Sequence, residues 1–121
     1  MKVAEIVEVV DGEILIPPAR DVDVLQAFAA DLMSDVLVLA EPQILMITGM
    51  VNAQTIRTAE MADIPVILFV RGKRPPDDML VLAREIGIGI AFSPYTMYET
   101  SGLLYAAGLP GLGKMPVVQQ R

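Results

Sequence analysis

The chain has 121 residues, 54% of them apolar, a mean hydropathy of +0.53 and a formal charge of −6. That length fits one domain with a real core, and the acidity argues against a nucleic-acid partner, which needs a basic face. No apolar run reaches the roughly 18–20 residues that cross a bilayer, and without cysteine or histidine there is no disulfide framework, no thiolate or imidazole metal site and none of the commonest nucleophile–base pairs.

The charge is uneven. Residues 1–56 hold nine acids against Lys2 and Arg20, whereas residues 57–121 hold seven bases against six acids. Glu5, Glu8 and Asp11 interrupt the N-terminus, so no secretory leader is expected, and a cytoplasmic location is. Met1–Val10 reads as a short helix, with Val3, Ile6, Val7 and Val10 on one face, or as an edge strand. Asp11-Gly12 is a turn. Glu13–Ile16 and Val22–Phe28 read as strands joined by Pro17-Pro18, and Asp31–Leu39 as a helix with Leu32, Val36 and Leu39 inward.

From Ile44 the pattern becomes regular. Ile44–Thr48 is an apolar strand ending at Gly49, and Asn52 is placed to cap a helix over Ala53–Ala62. Val66–Val70 is a second strand, ending at Arg71-Gly72. Pro75-Pro76-Asp77 opens a helix whose Met79, Leu82, Ala83 and Ile86 form one buried stripe. Gly87 ends it, and Ile88–Phe92 is a third strand. This is an internal repeat of strand and helix, which implies parallel strands with right-handed crossovers. The unbroken apolar strands fit a sheet covered on both faces. The methionines, Met33, Met46, Met61 and Met79 among them, are expected to fill core gaps.

A last helix starts near Thr96, where Thr96-x-x-Glu99 has the form of a capping box, and Gly108 sits where a helix C-terminal glycine belongs. Pro110 to Arg121 reads as an irregular tail. Between Ile86 and Gly113, Glu99 is the one charged residue. Met97, Ser101, Leu104 and Gly108 form one row of that helix, and Leu103 and Ala107 another. One row can cover the sheet, leaving the other to seek a partner, so a homodimer is expected.

In a parallel sheet, ligands bind beyond the carboxyl ends of the strands. Those ends bring Thr48, Gly49, Arg71, Gly72, Lys73, Ser93, Tyr95 and Thr96 to one edge, each next to a helix N-terminus that favours anions. Hydroxyls, glycines, an aromatic ring and a local run of cations, RGKRPP (Arg71–Pro76), suit a phosphate-bearing small molecule. The competing reading is structural: threonines that cap helices, glycines that turn, tyrosines in the core and a solvated loop of charge. Asp77-Asp78 reads as a helix start, where acids complement the dipole. Gly108-x-x-x-x-Gly113-Lys114 matches most of a phosphate-binding loop, but Met115 replaces the magnesium-binding hydroxyl and no strand precedes it.

DLMSDVL (Asp31–Leu37), ITG (Ile47–Gly49), IRTAEMADIPVI (Ile56–Ile67), VRGK (Val70–Lys73) and SPYTMYETSGLLYAAGL (Ser93–Leu109) together resemble the DRTGG domain family, whose fold is like the N-terminal domain of HPr kinase/phosphorylase. The resemblance covers most of the chain and is closest to the short stand-alone members that look like hydrogenase-operon accessory proteins. It implies an α/β fold with a mainly parallel sheet flanked by helices, and a single domain over 1–121. It implies no kinase activity, because in that family the activity belongs to a separate P-loop domain. Relatives fused to CBS domains imply adenine-nucleotide binding. The letters DRTGG themselves are absent: Arg20-Asp21 has the order reversed, and Thr48-Gly49 is followed by Met50.

The expected function is a non-catalytic regulatory or accessory domain that senses an adenine nucleotide or another phosphorylated small molecule. No catalytic residues, metal or cofactor are assigned. The alternative is a structural interaction subunit of a redox complex of hydrogenase type with no small ligand, and the third reading is a phosphoryl-transfer enzyme.

Overall fold

The computed structural model describes residues 1–39 and 41–114. In chain order its elements are α1 (Val3–Val9), β1 (Glu13–Ile16), β2 (Gln26–Ala29), α2 (Met33–Val36), β3 (Ile44–Thr48), α3 (Ala53–Met61), β4 (Val66–Phe69), α4 (Asp77–Ile86), β5 (Gly89–Phe92) and α5 (Met97–Ala106). The strands form one sheet in the order β1-β5-β4-β3-β2. β2 to β5 run parallel, and β1 adds to the β5 edge antiparallel, with Glu13 opposite Phe92 and Ile16 opposite Ile90. No helix among the described residues is long and apolar enough to cross a membrane.

Every residue of β3 and β4 is buried. The pleat sends successive side chains to opposite faces, so two cores result. Leu45, Ile47, Val66 and Leu68 pack with Ile6 and Val10 of the N-terminal segment and Leu104 of α5. Ile44, Met46, Ile67 and Phe69 pack with Val36 of α2, Ile56 and Ala59 of α3, and Met79 and Ala83 of α4. Each fully buried aliphatic side chain here contributes about 1.5–3 kcal/mol.

The expected parallel strands, and helices on both faces, are present. Asn52 caps α3 by accepting from the Thr55 N–H at 3.0 Å. Gly87 ends α4 in the left-handed region (φ 94°), and Gly108 (φ 103°) follows the last turn of α5. Only half of the expected capping box forms on α5: the Thr96 hydroxyl accepts from the Glu99 N–H at 3.4 Å.

The first third of the chain departs more. Of Met1–Val10, Val3–Val9 is helical rather than a strand, and the segment's start is pinned by the Met1 ammonium, 2.8 Å from both the Asp23 carboxylate and the Val24 carbonyl. That ammonium holds the Asp23 carboxyl below its ordinary value. The strand expected from Val22 is regular only over Gln26–Ala29. Val22 and Val24 are instead buried against α1, while Asp23 bridges to Lys2. The helix expected over Asp31–Leu39 is only Met33–Val36. Leu32 precedes it in extended backbone and is exposed, Val36 is fully buried and Leu39 is half-buried, because a single turn has one inward position. Met46 and Met79 fill the core as expected, but Met61, the last residue of α3, is 68% exposed. After α5, the Pro110 carbonyl accepts from the Ala27 N–H at 2.9 Å and covers part of the β2 edge. Residues 110–114 have no regular structure, and the rest of the expected tail, with Met115 of the loop-like motif, lies outside the described residues.

Gly12 joins α1 to β1 with its Cα against the Phe92 carbonyl, where a Cβ would collide with backbone of β5. Gly12→Ala is expected to push β1 off the sheet edge and lower unfolding stability by about 1–3 kcal/mol, read by urea denaturation.

Candidate functional site

β3, β4 and β5 end side by side at Thr48, Phe69 and Phe92. The segments that follow are bonded to each other. The Val70 N–H donates to the Thr48 carbonyl (3.1 Å) and the Ser93 N–H to the Phe69 carbonyl (2.8 Å). The Gly72 N–H donates to the Ser93 carbonyl (2.8 Å) and the Arg71 N–H to the Tyr95 carbonyl (2.7 Å). To make the last two bonds the chain turns through two consecutive left-handed residues, Arg71 (φ 63°) and Gly72 (φ 64°).

Thr48 is fully buried. Its hydroxyl donates to Asp31 Oδ1 at 3.1 Å and accepts from the Met50 N–H at 3.1 Å. The same Asp31 oxygen accepts from the Gly49 N–H at 2.8 Å. Across Gly49 lies the Arg71 guanidinium: a Cβ at Gly49 would stand 2.8 Å from Nη2. The glycine lets the guanidinium lie close over the backbone, and a larger residue would displace that side chain. Ser93 is also fully buried. Its hydroxyl donates to the Val10 carbonyl at 2.9 Å and accepts from the Tyr95 N–H at 3.3 Å, with the buried Thr100 hydroxyl 3.4 Å away.

The eight residues singled out from the sequence therefore share one edge but divide in two. Thr48, Gly49 and Ser93 are buried, and their hydrogen-bonding groups are committed to the protein. Arg71, Gly72, Lys73, Tyr95 and Thr96 are exposed. Among the described residues neither Arg71 nor Lys73 has an ion pair. Arg74, from the same cationic run, is used structurally: it lies 3.5 Å from Glu13 and 5.3 Å above the Phe92 ring. The first turn of α3 carries no acid, whereas that of α4 carries Asp77 and Asp78 and that of α5 carries Glu99. At this edge Arg71 and Lys73 are therefore the exposed cations left unpaired among the described residues, and the Asp31 carboxylate stands at the Gly49 N–H. Among the described residues no group of three or more acidic side chains is placed to hold a metal ion.

Asp31 is the residue that sequence reasoning passed over. It stands in the DLMSDVL segment, but nothing in its spacing ties it to Thr48-Gly49, seventeen residues away. The role of Ser93 in tying down the Val10 carbonyl, 83 residues distant, is equally silent in the sequence.

Among solved structures, the chain is similar to the CBS and DRTGG domains of the regulatory region of Clostridium perfringens pyrophosphatase, complexed with its activator diadenosine tetraphosphate. The TM-score is 0.73 at 15% sequence identity, over 89% of this chain and 47% of that one. The fold is DRTGG-like. The chain spans about half the length of that structure. No protein-family model matches the sequence, and no curated protein matches it significantly. The DRTGG-like fold accounts for the position of the edge described above, since all four parallel strands deliver their carboxyl ends to it.

Ser93→Ala would strand the Tyr95 N–H and the Val10 carbonyl in a buried place. A loss of about 1–3 kcal/mol is expected, seen as a lower midpoint in thermal unfolding with the circular dichroism spectrum unchanged.

Proposed function

We propose that residues 1–121 form a single DRTGG-like domain that is regulatory or accessory rather than catalytic. In this reading it senses an adenine nucleotide or another phosphorylated small molecule at the carboxyl edge of its sheet. The observation that carries the reading is the pair of exposed cations, Arg71 and Lys73, that have no ion-pair partner among the described residues, with the Arg71 guanidinium beside Gly49 at the end of β3 and no acid in the first turn of α3. Helix N-termini and guanidinium groups both favour phosphate oxygens. The likeness to a pyrophosphatase regulatory region complexed with a dinucleotide activator supports the same direction. Arg71 and Lys73 would supply charge, Gly72 close approach, Tyr95 a ring face and Thr96 a hydroxyl, while buried Gly49, covered by the Arg71 guanidinium, supports the edge. Thr48 and Ser93 would support the edge from beneath. Both hydroxyls are fully buried and bonded within the protein, Thr48 to Asp31 and Ser93 to the Val10 carbonyl, so neither is open to a substrate.

Calorimetric titration of AMP and ATP tests this. Wild-type protein should bind at least one of them, and Arg71→Ala should weaken binding about tenfold or more. Affinity unchanged by that substitution, or amide shifts that map to the acidic N-terminal third, would reject the reading. Sustained ATP hydrolysis by purified protein would reject its non-catalytic part.

The outer face of α5 favours a second reading alongside the first, a protein-interaction role, and we commit it to a second copy of the chain. Met97, Thr100 and Leu104 turn inward. Tyr98 (84% exposed), Tyr105 (73%), Leu103 and Ala106 turn outward around Gly102, where an added Cβ would meet nothing within 4 Å. Knob-like rings and a glycine gap on the same helix face complement themselves across a two-fold axis. Two tyrosines at about 150–250 Å² each bring several hundred Å² per copy, toward the about 800 Å² per partner of a standard interface. Light scattering should give twice the 13.1 kDa chain mass, and Leu103→Glu should return it to a folded monomer. A wild-type mass near one chain across micromolar concentrations would refute the dimer and leave the redox-complex partner implied by the resemblance as the remaining interaction reading.

A further inference from the structure

The opposite edge of the sheet, at the amino ends of β4 and β5, holds a half-open cleft of about 340 Å³. Its three walls are the chain from Pro18 to Val22, the α3-to-β4 turn at Ala59–Pro65, and the α4-to-β5 turn at Ile86–Ile88. The first wall is fixed. The Ala19 N–H donates to the Gly87 carbonyl at 3.2 Å, and Pro18 lies so close to Gly89 that a Cβ there would stand 2.9 Å from the proline ring.

The charge of this cleft is opposite in kind to that of the carboxyl edge. α3 and α4 both end here, so their last carbonyls and the negative ends of their dipoles face it. The last turn of α3 carries no base, whereas that of α4 carries Arg84, which does not line the cleft. Asp63 and Glu60 line the cleft with Arg20. Glu60 is engaged by Arg57 at 3.6 Å. Asp63 and Arg20 have no ion pair among the described residues. They line one hollow without reaching each other, one positive and one negative, and Pro18, Val22, Ile64 and Ile86 supply apolar surface beside them.

We infer that this cleft binds a small aliphatic zwitterion, with its ammonium toward Asp63 and the end of α3 and its carboxylate toward Arg20. The volume lies in the range of small-ligand sites, about 300–1,000 Å³. A chain of methylenes fits the apolar wall, and a charge at each end answers the two lone charges. A ligand with only one charge leaves the other residue without a partner. Both charged residues stand at the solvent rim, where one ion pair is worth about 0.2–1 kcal/mol, so the affinity is modest.

Amide NMR titrations with 6-aminohexanoate, hexanoate and hexylamine test the inference. The zwitterion should give saturable shifts centred on Ala19, Ile64, Gly87 and Ile88 and bind tighter than either singly charged probe. Arg20→Ala and Asp63→Asn should each weaken it by about threefold. Asparagine suits the left-handed backbone of Asp63 (φ 58°), so the second variant keeps the fold. Three probes of equal strength, shifts that never saturate, or shifts centred elsewhere would each overturn the inference.

Discussion

Burial of β3 and β4 on both faces is the constraint on which the rest of this structure depends. Strands without polar alternation cannot present a face to water. Helices must therefore cover both sides, and their backbone groups must be paired along both edges. β2 and β5 do the pairing. α1 and α5 close one face, and α2, α3 and α4 the other. Successive parallel strands require a crossover each time, which returns the chain to the same starting side. The helices between successive parallel strands, α2, α3 and α4, therefore enter at one edge and leave at the other, whereas α1 ends at the carboxyl edge, where the Val10 carbonyl meets Ser93.

At the carboxyl edge, closing the core and presenting chemistry compete for the same residues. Thr48 and Ser93 are spent on closure: one ties the β3 end to Asp31, the other ties the β5 end to Val10. What is left for solvent is Arg71 and its neighbours. Arg71 also bears a conformational cost. Among the described residues Asp11, Gln43, Asp63 and Arg71 lie in the left-handed region, and Arg71, like Gln43, lacks the short polar side chain that suits the two aspartates to it. That conformation costs roughly 1–2 kcal/mol for an ordinary residue. Here it is held by the bond from the Arg71 N–H to the Tyr95 carbonyl, and the guanidinium is thereby laid across Gly49. Strain kept at an exposed cation is a feature that functional sites share.

Much of the central architecture was legible in the sequence because its signals are local. Unbroken apolar runs marked β3, β4 and β5, and Asn52 and Gly87 marked helix ends. The strand–helix repeat then fixed the parallel direction. Residues 17–43 were less legible because their structure answers to distant partners. Val22 and Val24 read as strand but serve the packing of α1. Leu32 reads as an inward helical residue but falls before the helix begins. The antiparallel placement of β1 beyond β5 had no local signal either. For the candidate site, the edge was readable from topology and residue type. The division between buried and open members was not. Thr48 and Arg71 differ in the sequence only by chemistry, and it took the Asp31 carboxylate and the left-handed turn to decide which faces inward.

The position of β1 has a consequence for the order of assembly. The N-terminal α1–β1 unit lies against β5 and is fastened by the Ser93-to-Val10 bond, which spans 83 residues. Contacts of such sequence separation form slowly, because a long loop must close before they return any stability. During synthesis, at about 5–20 residues per second, α1 is made well before β5 and is thus among the last of these elements to find its place. Until residue 93 is out, Ile6 and Val10 have no complete face to bury against. The apolar stripe of α1, Val3 and Ile6 with Val10 after it, is left without its cover while it waits.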